Sequence, residues 1–138
     1  MSTSGRDHRR RLVLDTSAYS RLRGGDARVL DRVAAATLVL LPAIVLGELE
    51  AGFALGARAA ENRRSLAELL AEPFVQALPI DAAVASRYGA IFAQLRRAGT
   101  PVPTNDIWIA AAAIDRGATV LTFDDHFRHV RGLDCEIL

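Results

Sequence analysis

Five short apolar runs, at 11–14, 37–41, 74–78, 118–123 and 135–138, alternate with longer stretches of helical periodicity. A short, continuous apolar run is the form of a strand buried on both faces. Helices between such runs supply the crossovers that parallel pairing requires. The expected fold class is α/β: one domain with a central, mainly parallel sheet of about five strands flanked by helices. A length of 138 residues fits a single domain. With 51% hydrophobic residues, the chain can fill a core without disulfide staples.

Local signals refine this reading. Residues 1–10 are polar and unpatterned and are read as a flexible N-terminal arm, with 11–138 as the folded domain. Thr16 or Ser17 can cap a helix that stops at Gly24-Gly25, while Asp26 and Asp81 begin two others. Pro42 suits the first turn of a helix reaching Gly56, and a further helix spans 57–71. Gly99 and Gly117 follow the last two long helices, the second starting at Asn105, and 124–131 reads as a short helix. Segment 43–56 is apolar nearly all round, the pattern of a buried helix.

Charge excludes more than it assigns. Seventeen basic residues nearly cancel sixteen acidic ones, which is unlike a strongly basic nucleic-acid module. All seventeen are Arg, so mechanisms that need a P-loop or Schiff-base Lys are excluded. The single Cys135 precludes an intramolecular disulfide and fits a reducing compartment. The longest uncharged run, 33–47, is fifteen residues, short of the roughly 20 a membrane helix needs. No secretory leader is evident, and a cytoplasmic location without membrane association is expected.

Four carboxylates occupy unusual places. Asp15 ends the first apolar run and Asp124 follows the fourth, where open α/β sheets bind ligands. Either acid could instead serve simply as a helix N-cap. Glu48 lies within the apolar helical segment, so it must be paired, protonated or metal-bound; a buried pair with an Arg is the structural alternative. Asp106 opens a helix whose Ile109, Ala110 and Ala113 share its face, and the helix dipole alone could account for it. Their conjunction carries more weight. Gathered carboxylates repel and raise one another's pKa, whereas a divalent cation keeps them ionised. Oxygen donors select Mg²⁺ or Mn²⁺, ions that activate water and stabilise a phosphodiester in transition.

Leu-Asp-Thr-Ser-Ala at 14–18, Gly-Glu-Leu-Glu-Ala-Gly at 47–52, Pro-Thr-Asn-Asp-Ile-Trp-Ile-Ala-Ala at 103–111 and Leu-Thr-Phe-Asp-Asp-His-Phe at 121–127 resemble the PIN-domain nucleases. Among these the chain is most similar to the VapC toxins of VapBC toxin–antitoxin systems, in order from about residue 11 to 138. The resemblance implies Asp15, Glu48, Asp106 and Asp124 as the catalytic and metal-binding acids, supported by Thr16, Ser17 and Thr122. Ser17 stands where many relatives carry Asn, and Asp125 is an extra acid. The resemblance also implies an Mg²⁺- or Mn²⁺-dependent endoribonuclease, a homodimer, an RNA substrate and a cognate antitoxin. Asp15 and Asp106 would be the principal ligands, with Glu48 and Asp124 completing the pocket directly or through water.

Other features are read more plainly. His126 and His129, three apart but without a third His or Cys, are expected to be surface residues. Trp108 suits burial or an interface rather than base stacking. Arg21, Arg23, Arg28, Arg87, Arg96 and Arg97 are mostly solvated, although any near the acids could meet RNA phosphates. Two rivals oppose the nuclease reading. A dehalogenase-like phosphatase would want an acid at Ser17 and a Lys; a catalytically silent module would bind RNA or antitoxin only.

Overall fold

The computed structural model describes residues 11–138, so the arm expected at 1–10 lies outside the described residues. Its elements, in chain order, are β1 (Arg11–Leu14), α1 (Thr16–Arg23), α2 (Ala27–Ala35), β2 (Leu38–Pro42), α3 (Ala43–Leu55) and α4 (Ala59–Leu70). There follow β3 (Val75–Leu78), α5 (Ala82–Ala98), α6 (Thr104–Asp115), β4 (Thr119–Thr122), a 3₁₀ segment (Asp125–His129) and β5 (Asp134–Ile137). All five strands pair in parallel in the order β3-β2-β1-β4-β5. The expected parallel α/β sheet of five strands is the observed one.

Strand β1 sits at the centre, with Leu12 opposite both Val39 and Thr119, and Val13 opposite Leu40 and Val120. Val13, Leu14, Leu40, Leu41, Val120 and Leu121 are fully buried, so helices must cover both faces of the central strands. The chain builds outward from β1 through β2 to β3, then returns to β1's other side with β4. That reversal puts the topological switch point between β1 and β4, at whose carboxyl ends a ligand crevice opens.

Helix α6 supplies one wall of that crevice. Ala110, Ala111, Ala112 and Ala113 are all fully buried, and their small side chains let the helix lie close to its neighbours. Gly117 then adopts φ +58°, with its N–H bonded to Ile114 O and that of Ala118 to Ala113 O. This left-handed turn satisfies the last carbonyls of α6 and feeds the chain directly into β4. Gly99, at φ +67°, ends α5 with the same pair of bonds, to Arg96 O and Leu95 O.

Three local expectations change. The cap of α1 is Asp15, which accepts from Ala18 N, and not Thr16 or Ser17, both of which lie inside the helix. An acid at the strand end is one residue earlier and better placed to meet the first free N–H groups. The short helix expected over 124–131 is confined to a 3₁₀ turn at Asp125–His129. Helix α3 is not buried all round: Val45, Leu49 and Phe53 face the core, whereas Gly47, Ala51, Ala54 and Leu55 are exposed, Leu55 at 91%. Composition made it apolar, but its Gly47, Ala51, Ala54 and Leu55 side is left open.

Candidate active site

The carboxyl end of β1 delivers Asp15 into the switch point, where it is 4% exposed. A carboxylate so buried must be saturated with donors. Oδ1 accepts from Ser17 Oγ and from Ala18 N, each at 2.8 Å, and Oδ2 accepts from Thr122 Oγ. The buried Thr122 hydroxyl in turn accepts from Asp124 N at 2.9 Å, and Ser17 Oγ accepts from Phe123 N at 3.1 Å. Ser17 and Thr122 thus clasp the end of β1 to the loop after β4. Asp15 is thus both the cap of α1 and a buried carboxylate at the switch point, so capping does not take it away from the crevice.

Glu48 projects from α3 and is half-buried. Its Oε1 accepts from Thr16 Oγ1 at 2.7 Å, and its Oε2 from Asn105 Nδ2 at 3.4 Å. Among the described residues these partners are neutral, so the buried pair with Arg is not what holds it. Thr16 follows Asp15 and Asn105 precedes Asp106, which ties α3 to both neighbouring acids.

Asp106, in the first turn of α6, and Asp124, after β4, converge on the ring of His126. His126 Nδ1 lies 3.2 Å from Asp106 Oδ2 and 2.9 Å from Asp124 Oδ1. One ligand atom from each of the three residues falls within 4.8 Å of the other two. Asp15 and Glu48 are not among these three, although Asp15 lies close enough to feel the charges of Asp106 and Asp124. His126 is exposed, at 46%, as a surface histidine was expected to be, but its ring also faces Asp106 and Asp124, contacts that sequence reasoning missed. A carboxylate two positions earlier, Asp124, was the signal available.

Charge accumulates here. Burial raises the Asp15 pKa and Asp124 adds to the rise, against hydrogen bonds from Thr122, Ala18 and Ser17 that lower it. Asp106 is raised too, first by burial and then by Asp124 and Asp15, with His126 partly opposing. Both acids are thus less comfortable ionised than free carboxylates, a penalty that a divalent cation would relieve. An oxygen-rich donor set fits a hard ion such as Mg²⁺ or Mn²⁺.

The raised pKa values carry a sign for stability. A carboxyl whose folded pKa exceeds its unfolded one stabilises the fold most at low pH, and that contribution is lost as pH climbs through the folded pKa. With chelator present, Asp106→Asn is therefore expected to gain thermal midpoint relative to the parent chain over the pH range that runs upward from the usual carboxylate value. A difference that stays constant across this range contradicts the assignment. Thr122→Val should lower stability by about 1–3 kcal/mol, because the buried Asp15 carboxylate and the part-buried Asp124 N–H lose their bond while the shape is kept. Urea unfolding midpoints measure this; an unchanged midpoint contradicts the clasp.

A cavity of about 740 Å³, lined in part by Leu12, Thr119, Arg32 and Glu136, opens at the N-terminal strand ends. The carboxylates lie at the other end of the sheet, so cavity size is no guide to this site.

Comparisons with known proteins agree with this layout. The PIN domain family matches residues 12–133. Ribonuclease VapC5 of Mycobacterium tuberculosis is 32% identical over 120 residues, covering 87% of each chain. The VapBC-5 toxin–antitoxin structure from the same organism matches with a TM-score of 0.68 and 31% identity, over 94% of this chain and 98% of that one. VapBC2 of Rickettsia felis, bound to a promoter DNA fragment, superposes with a TM-score of 0.84 over 93% of this chain and 98% of that one; at 21% identity it speaks to the fold. A five-stranded parallel sheet with acids gathered at its switch point, and a family match running from β1 almost to the C-terminus, show that the chain belongs to the PIN domain family.

Proposed function

We propose that this chain is a divalent-cation-dependent endoribonuclease, the toxin of a type II toxin–antitoxin pair, hydrolysing RNA phosphodiesters. The observation that carries the reading is the approach of Asp106 and Asp124 beside the buried Asp15 at the switch point. In this reading 11–138 is one nuclease domain. Asp15, Glu48, Asp106 and Asp124 hold Mg²⁺ or Mn²⁺. A cation bound there supplies the Lewis acidity that stabilises charge on the phosphodiester and activates water for attack.

The remaining residues hold this arrangement and face the substrate. Thr122 and Ser17 fix the Asp15 carboxylate, leaving Oδ2 with a lone pair to spare. Thr16 and Asn105 aim Glu48. Beside Thr122 on the loop after β4, Phe123 has the Arg21 and Arg28 guanidinium groups 4.7 and 5.3 Å from the centre of its ring. That cationic edge suits the phosphates flanking a scissile bond. The open apolar face of α3, with Gly47, Ala51, Ala54 and Leu55, suits a cognate antitoxin docking beside Glu48. Relatives named as a ribonuclease and as members of toxin–antitoxin complexes support both roles. The resemblance further implies a homodimer acting in the cytoplasm; no helix among the described residues is long and apolar enough to cross a membrane.

Expression in a bacterial host tests the proposal. The parent chain should arrest growth and leave discrete new RNA 5′ ends, both absent with Asp106→Asn. Identical RNA profiles for the two would overturn it and favour a catalytically silent module that binds RNA or antitoxin.

A further inference from the structure

We propose that His126 supplies a nitrogen ligand to the bound cation and shifts the site's preference from Mg²⁺ toward first-row transition ions such as Mn²⁺. This rests on the cation-dependent reading above but assigns a donor beyond the four carboxylates. The imidazole Nδ1 carries at most one proton, yet it faces two carboxylate oxygens at 2.9 and 3.2 Å. One N–H cannot serve both with good geometry, whereas one cation can. Adjacent ligands of an octahedral ion with bonds near 2.1 Å are about 3 Å apart, the spacing found between this nitrogen and its two neighbours.

Position supports the assignment. The His126 backbone N–H donates to Asp124 Oδ1 at 3.0 Å, which locks the residue to one of the acids it would share an ion with. The next residue, Phe127, is fully buried and anchors the 3₁₀ segment against the core. The ring is thus presented from a fixed backbone, while its half-exposed edge leaves an approach for ion and substrate. Imidazole is a softer donor than carboxylate, and Mg²⁺ takes nitrogen reluctantly, so such a ligand discriminates between ions that oxygen donors treat alike.

Electron spin-echo spectroscopy of the Mn²⁺-loaded full chain tests this without reading activity. The parent chain should show ¹⁴N modulation from a coordinated imidazole. His126→Gln should lose it, and its Mn²⁺-to-Mg²⁺ affinity ratio, from calorimetric titration, should fall about tenfold. His129→Gln should keep both. Mn²⁺ bound with no ¹⁴N modulation, or an unchanged ratio in His126→Gln, would overturn the proposal and leave His126 a hydrogen-bond partner of the acids. Failure of the parent chain to bind Mn²⁺ or Mg²⁺ would instead overturn the cation-dependent reading on which it rests.

Discussion

Asp15→Asn and Asp106→Asn are each expected to lower cation-dependent RNA cleavage by about a thousandfold or more, while the protein stays folded. The loss should exceed the 10–100-fold typical of groups that only orient a metal ligand. Asparagine keeps the shape of aspartate. At position 15 its carbonyl can still accept from Ala18 N, so the α1 cap survives. What disappears is negative charge, at the two acids whose ionisation burial and mutual repulsion already oppose. Cleavage rates on one defined RNA, with circular dichroism to confirm folding, make the measurement. Activity within tenfold of the parent chain in either variant would remove that residue from the site.

Phe127→Ala should produce the largest loss of stability among single substitutions near the site, about 3–5 kcal/mol. Its ring is fully buried, and it is the apolar anchor of the 3₁₀ segment that also carries His126 and follows Asp124. For a chain of this size the melting midpoint should fall by about 10–15 °C. Removing the ring also frees the loop, so activity measured well below the midpoint should drop as well. A midpoint within about 3 °C of the parent's would show that the core collapses around the gap or never depended on the ring.

The sheet was legible because its signal is local. Runs such as Leu12-Val13-Leu14 and Val120-Leu121 are short, continuous and bounded, and the structure buries each of them between helices. The acids were legible for a related reason. Asp15 interrupts an apolar run where it ends, and Glu48 stands in a helix otherwise nearly without charge. Neither position suits a carboxylate unless something needs it.

What stayed hidden depends on partners distant in sequence. His126 meets Asp106 from 20 residues away, and testing it against other His and Cys residues could not find a carboxylate partner. Helix α3 is apolar apart from Glu48 and Glu50, which fits burial; that Leu55 lies open could only be learned from the absence of a neighbouring element among the described residues. The Arg21–Phe123–Arg28 stack likewise joins two helices to the loop after β4 and leaves no periodic trace. Propensity and periodicity report what a segment prefers; they do not report which other segment it meets.

The most direct test of the central claim is a cation add-back assay on the purified chain. A defined RNA is incubated with protein stripped by chelator, then with Mg²⁺ or Mn²⁺ restored, alongside Asp106→Asn treated identically. Cleavage should be absent without the ion, appear at discrete positions once it returns, and stay absent in the variant. Cleavage that persists in chelator, or that the variant matches after add-back, would contradict the central claim.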